Sequence, residues 1–294
     1  MRIVITGAAG NLGSKLRSHL EAAEWCEKIV AIDVRGFEVG AKTEMVLADV
    51  GDPHDGRWLA PVRAADAVVH YASANPAPNG SWTEAATSFD MTMNLLEQAG
   101  GDQACRLIFA SSNHAMGGYK DAPLPPDGKL RMTTPPLSGT QFYIAGQGYR
   151  YGAAYGATKI MGERAAAMRA EATGGRLTTV SMRIGYCQRG ENVATTLVSS
   201  GGGGKPTGAS EQPADEQARD LRWFRNMWLS NRDHASLMEA ALRADASGWP
   251  APGIVVSGVS NNAGMAWDIA EAATWIGYRP VDDVWVDLAK AGVV

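Results

Sequence analysis

Apolar positions along this chain follow two periods in alternation. Residues 2–6 (Arg-Ile-Val-Ile-Thr) form a short apolar run that stops at Gly7-Ala8-Ala9-Gly10-Asn11-Leu12-Gly13. From there to about Trp25, the apolar positions Leu12, Leu16, Leu20 and Ala23 recur at helical spacing, and Lys28 to Asp33 is again a short apolar run. Short apolar runs bounded by turn residues predict buried strands, and the longer period predicts an amphipathic helix. The start of the chain therefore reads strand, glycine turn, helix, strand. Further strands are predicted at Met45–Asp49, Ala67–Tyr71, Arg106–Ser111 and Leu177–Ile184, with helices over Trp82–Ala99 and Ala153–Ala172. This alternation predicts an α/β fold, a doubly wound parallel sheet.

The last third is less regular. The stretch from Gly201 to about Glu216 is rich in glycine and polar residues and predicts a mobile loop. A helix is expected over Asp233–Ala244, capped by Asn231 or Asp233, and a strand at Ile254–Val256. Residues 1–185 are expected to form the doubly wound Rossmann domain, which includes the long helix over Ala153–Ala172. Residues 186–294 are expected to be mainly a small second lobe, interleaved with that core.

The first turn carries the first chemistry. Gly7, Gly10 and Gly13 give GxxGxxG between a strand and a helix. Glycines there permit a tight turn and close approach of backbone to a pyrophosphate, which the helix N-terminus attracts. Gly7, Gly10, Asn11, Leu12 and Gly13 are the phosphate-side candidates. Asp33 ends the second strand about 20 residues on, where a carboxylate accepts hydrogen bonds from the adenine ribose. It favours NAD, while Arg35 keeps NADP open as the alternative. Asp49 and Val50 follow the third strand and are candidates for the adenine, although Asp49 also suits a cap on the next turn.

Tyr155 and Lys159 are an i, i+4 pair on one face of the long predicted helix. A lysine cation beside a phenol stabilises the phenolate and lowers its pKa, which makes Tyr155 a candidate general base for an alcohol proton. Lys159 is also a candidate to hold the nicotinamide ribose. Ser111 and Ser112 follow a strand at the carboxyl edge of the sheet. Ser112 is the expected hydrogen-bond partner of the substrate oxygen, with Ser111 as its buttress. Tyr151 has no lysine at i+4, so packing or pocket lining is its expected role.

Composition narrows the class. The 294 residues are 45% hydrophobic and carry a net charge of -4 with no basic stripe, so a small-molecule substrate is expected and nucleic acid is not. Cys26, Cys105 and Cys187 are odd in number and lack CxxC spacing. Neither a disulfide framework nor a metal site is expected, and a reducing cytoplasm fits. No secretory leader or membrane span is expected.

With these residues in hand, the chain resembles the extended short-chain dehydrogenase/reductases, the NAD-dependent epimerase/dehydratase family. Within them it is most similar to the uronate dehydrogenases. Ser111-Ser112-Asn113-His114, Arg183-Ile184-Gly185 with Cys187, Asn231-Arg232-Asp233, the block Gly258–Gly264 and Trp275–Pro280 carry the narrower resemblance. It implies oxidation of a sugar acid at its anomeric carbon by NAD, giving a lactone. It also implies that Asn113, His114 and Arg183 contact the acid, with Asn75 at a pocket position. A structural ion pair is the alternative for Arg183, and core packing the alternative for His114. Extended members are often dimers, so a homodimer is expected. Two insertions, about 119–150 and 190–228, depart from the family pattern and are expected near the substrate. The first holds Phe142, Tyr143, Tyr149 and Tyr151; simple packing of a longer loop is the alternative. A nucleotide-sugar epimerase or dehydratase is the competing activity, and a non-catalytic dinucleotide sensor the competing class.

Overall fold

The computed structural model describes residues 1–144, 147–199 and 212–293. Its strands are β1 (Arg2–Thr6), β2 (Lys28–Asp33), β3 (Thr43–Leu47), β4 (Ala67–His70), β5 (Cys105–Ser112), β6 (Thr140–Ile144), β7 (Gly148–Gly152), β8 (Leu177–Ile184) and β9 (Gly253–Gly258). Its helices are α1 (Asn11–Ala22), α2 (Gly56–Arg63), α3 (Trp82–Gln98), α4 (Ala154–Ala172), α5 (Ala214–Asn226), α6 (Asn231–Arg243), α7 (Ala270–Trp275) and α8 (Val284–Lys290). Seven strands make one sheet in the order β3-β2-β1-β4-β5-β8-β9, and every pairing in it is parallel. The strand order reverses at β1 and β4, the place where doubly wound sheets open a crevice at their carboxyl edge.

Alternation along each strand divides the core. Ile3 and Ile5 of β1 pack with Leu16 and Leu20 of α1 and Leu237 and Met238 of α6. Val4 points the other way, to Trp58 and Val62 of α2, Leu95 and Leu96 of α3 and Ala166 of α4. Burying both faces requires apolar residues at successive positions, which is why these strands read as unbroken runs. Each such side chain contributes roughly 1.5–3 kcal/mol.

The C-terminal third differs from its reading in two places. The predicted loop to Glu216 is cut short, because Ala214, Asp215 and Glu216 are the first turn of α5; residues 200–211 lie outside the described residues. Helix α6 is capped by Ser230, whose hydroxyl accepts from the Asp233 amide, and neither Asn231 nor Asp233 caps it. Asp233 is buried in the first turn, where it accepts from the amides of Val281 and Asp282 and from Ser260. Strand β9 then returns to the main sheet beside β8. Among the described residues no helix is long and apolar enough to cross a membrane.

Candidate functional site

The glycine turn is built by steric necessity. Gly7 has φ +67, and a Cβ on it would strike the backbone of Ala72 after β4; a Cβ on Gly13 would strike the Gly7 carbonyl. Helix α1 can therefore start directly against the strand ends. Gly10 precedes its first turn, with no side-chain cap and no acidic residue there, so its first amides stay available to an anion. Asn11 donates to the Cys187 carbonyl at 2.9 Å, and Lys15 Nζ donates to the Gln188 carbonyl at 2.5 Å. The loop after β8 is thereby tied across the turn.

A cleft of about 1220 Å³ runs along this edge of the sheet. At one end lie Asp33, Arg35, Asp49 and Val50; the glycine turn follows; Ser111, Ser112, His114, Tyr155 and Lys159 lie farther along its wall. The Asp33 carboxylate is buried and accepts from the amides of Ala9 at 2.9 Å and Arg35 at 3.0 Å. Asp49 lines the cleft and accepts from the Gly51 amide at 2.8 Å. An uncapped helix start, a glycine cradle and a strand-end carboxylate in one cleft fit a dinucleotide.

Helix α4 brings Tyr155 and Lys159 to the end of β5. Gly162 allows this, since a Cβ there would enter the Phe109 ring. Tyr155 is buried, with the Ser112 hydroxyl in hydrogen-bonding contact and the His114 ring edge-on at 5.8 Å. Lys159 Nζ donates to the Ala110 carbonyl at 2.7 Å and stands 5.5 Å from the centre of the Tyr155 ring. Burial pushes the ammonium down to about 8, against the opposing field of Glu163. The expected lowering of the phenol is not what the protein alone provides. Burial raises the Tyr155 pKa, and the Ser112 hydrogen bond works against that rise. Burial also pushes His114 down to about 4, so its ring is neutral near pH 7; its Nδ1 is 2.7 Å from the Thr140 hydroxyl.

Three predicted substrate residues stand apart from the cleft wall. Arg183 is the main correction. Its guanidinium, 3% exposed, binds both carboxylate oxygens of Glu163 at 2.9 and 2.8 Å and reaches Met116 Sδ at 3.1 Å. A buried cation needs a buried anion, so the ion-pair alternative is the arrangement found. Asn75 turns to Glu84 at 3.2 Å and accepts from the Ala77 amide, leaving its neighbours Pro76 and Ala77 on the wall. Asn113 is 1% exposed, and neither polar atom of its side chain has a hydrogen-bond partner among the described residues. Ser111 lines the cleft, but its hydroxyl donates to Glu163 at 2.6 Å.

The insertions divide in role. The first ends in the β6–β7 hairpin, and none of its four aromatic residues lines the cleft. Phe142 is buried, Tyr151 is 65% exposed, and Tyr143 packs edge-on against Tyr149. The hairpin meets the site through the Thr140–His114 contact and where Gly152 approaches Pro78. The second insertion supplies Leu197, Val198 and Met227 to the wall. Its helix α5 is tied beside the site by a buried pair, Lys120 Nζ to Asp220 at 2.8 Å, each side chain 1% exposed. Sequence reasoning also missed Tyr71, which lines the cleft and lies 3.0 Å from His234 Nε2. Its position, one residue beyond the end of β4 and level with the glycine turn, was the available signal. Among the described residues no group of three or more His, Cys, Asp or Glu is placed to hold a metal.

Comparison with known proteins identifies the family. The sequence profile of the NAD dependent epimerase/dehydratase family matches residues 3–251. An L-arabinose 1-dehydrogenase (NAD(P)(+)) of Haloferax volcanii is 29% identical over 285 residues, covering 96% of this chain and 97% of its own. A uronate dehydrogenase of Pseudomonas putida is 27% identical, with 96% and 84% covered. A solved uronate dehydrogenase of Agrobacterium tumefaciens, a mutant complexed with NAD, superposes with a TM-score of 0.69 at 25% identity. It covers 99% of this chain and 88% of its own.

Proposed function

This chain belongs to the NAD dependent epimerase/dehydratase family, and from that premise we propose that it is an NAD-dependent dehydrogenase oxidising a sugar hemiacetal or related secondary alcohol. The observation that carries this is one cleft lined both by Asp33 with the glycine turn and by Ser112, Tyr155 and Lys159. In this reading Asp33 holds the adenine ribose, the first amides of α1 hold the pyrophosphate, and Lys159 holds the nicotinamide ribose. When bound, the nicotinamide supplies the acceptor for the hydride and, being cationic, favours the phenolate.

The chain's own residues manage the proton. The Ser112 hydroxyl holds the substrate oxygen, and Tyr155 takes the alcohol proton at its phenol oxygen. The Ser112 hydrogen bond opposes the rise that burial imposes on the phenol, and the Lys159 ammonium stands 5.5 Å from the ring centre. Neutral His114 packs against the phenol ring edge and limits where it lies. Names such as L-arabinose 1-dehydrogenase and uronate dehydrogenase support a sugar or sugar acid as substrate. The extended resemblance adds a homodimer to the proposal.

The test is NADH absorbance, with purified protein, NAD and a panel of neutral aldoses, uronic acids and bulkier alcohols. Net NADH formed in proportion to substrate supports the dehydrogenase. Interconversion of a nucleotide sugar without net NADH would replace it by an epimerase.

A further inference from the structure

We propose that Glu163 is a positioning residue that clamps the helix bearing Tyr155 and Lys159 onto the strand ends bearing Ser111 and Ser112. This inference rests on the dehydrogenase reading for its kinetic consequences, but its structural basis is independent of it.

The geometry is specific. Ser111 of β5 and Arg183 of β8 are directly paired across the sheet. Glu163 lies above that pair on α4, one turn beyond Lys159, itself one turn beyond Tyr155. One carboxylate oxygen accepts from Ser111 at 2.6 Å and from Arg183 Nε at 2.9 Å, and the other accepts from Arg183 at 2.8 Å. The carboxylate, 4% exposed, therefore bonds both strands at once. The second tie between α4 and β5 is Lys159 to the Ala110 carbonyl. Both ties fall beside Gly162, where the helix presses on Phe109. Two anchors a turn apart fix the rotation of α4 as well as its height, and so the distance from Tyr155 to Ser112.

Glu163 also faces Lys159 electrostatically. On the packed elements, His70 of β4 feels the field of the ammonium and is pushed down to about 3, chiefly by burial, and hence neutral; His114 after β5, neutral through burial, faces Tyr155. Arg183 of β8 is paired with Glu163 itself, and Tyr155 shares the helix of Lys159. Glu163 is the group whose field raises Lys159 against burial. The carboxylate thus holds the geometry and favours the cation in that geometry.

The test compares Glu163→Gln with the parent. The amide keeps one acceptor for Ser111 and Arg183 and removes the charge. Two readouts are taken: the pH dependence of kcat, and the titration of Lys159 followed by NMR on protein carrying 13C-labelled lysine, assigned with Lys159→Met. The expected result is a kcat lower by on the order of 10-fold or more, with KM for NAD within about 2-fold. The high-pH fall of kcat should move to lower pH, and Lys159 should titrate below its parent value of about 8. Glu163→Asp, which keeps the charge, should restore the lysine titration. An unchanged lysine titration and an unchanged pH profile overturn the proposal, even if Tm drops. A shifted lysine titration in a protein that turns over no alcohol upholds the clamp and rejects the dehydrogenase instead. Should Glu163→Gln fail to fold, Glu163→Gln with Arg183→Gln removes both charges together, and the same lysine readout decides.

Discussion

At the scale of single residues, the same chemical group does different work according to what faces it. Tyr155 and Tyr151 are one helical turn apart in sequence, yet Tyr155 is buried against Ser112 while Tyr151 is exposed with its hydroxyl on the Ser138 carbonyl. Tyr155→Phe should therefore reduce kcat by about 10²- to 10⁴-fold, the span of general acid–base catalysis. NADH affinity, read by fluorescence, should stay near the parent value, and a near-normal kcat would remove Tyr155 from the proton's path. Arg183 gives the opposite prediction from the one its sequence suggests. Arg183→Ala leaves the buried Glu163 carboxylate without its ion-pair partner, so stability should fall by about 3–5 kcal/mol in denaturant unfolding. A stable variant with a KM raised only for acidic substrates would return Arg183 to the substrate. The guanidinium at a strand end was legible as important. Its partner was not, because Glu163 is 20 residues earlier, on a helix whose angular position over the strands no local pattern reports.

At the scale of elements, strands and helices were legible where burial is two-sided and periodic. β1, β2, β4, β5 and β8 each read as apolar runs because both faces meet helices. The β6–β7 hairpin is half exposed and read only as added length. Helix α5 stayed hidden because it adjoins a glycine tract and is held by a distant partner: Lys120 and Asp220 are 100 residues apart. That pair makes α5 separable. Asp220→Ala leaves the Lys120 ammonium with only the partly exposed Asp121. Amides of α5 should then exchange with deuterium faster while those of β1, β4 and β5 keep their protection. Because Met227 closes α5 and lines the cleft, substrate KM should rise in the same variant. Uniform loss of protection through the sheet would show that α5 is part of the global cooperative unit.

At the scale of the whole molecule, three buried histidines set an acid limit. His70, His114 and His234 are held down to about 3, 4 and 3 by burial, well below the usual value near 6.5. Between those values the unfolded chain binds protons that the folded chain refuses, so stability rises with pH through this window and is lost on acidification. Lys159 acts with the same sign higher up: its folded value of about 8 lies below its ordinary value, so stability also rises from about 8 towards 10.5. Scanning calorimetry should show Tm falling steadily from pH 6.5 to pH 4. A flat Tm over that range would mean that the rings are not buried in neutral form.

The strand order carries a consequence for how the chain is made. β8 is complete by Ile184, but the strand that covers its outer edge, β9, begins only at Gly253. A ribosome delivers the intervening helices α5 and α6 first, so the nascent sheet waits with the backbone donors and acceptors of β8 open. Such an edge invites pairing with another chain. Synthesis paused inside α6 should therefore yield nascent chains that recruit chaperones strongly, and recruitment should fall once β9 has cleared the exit tunnel.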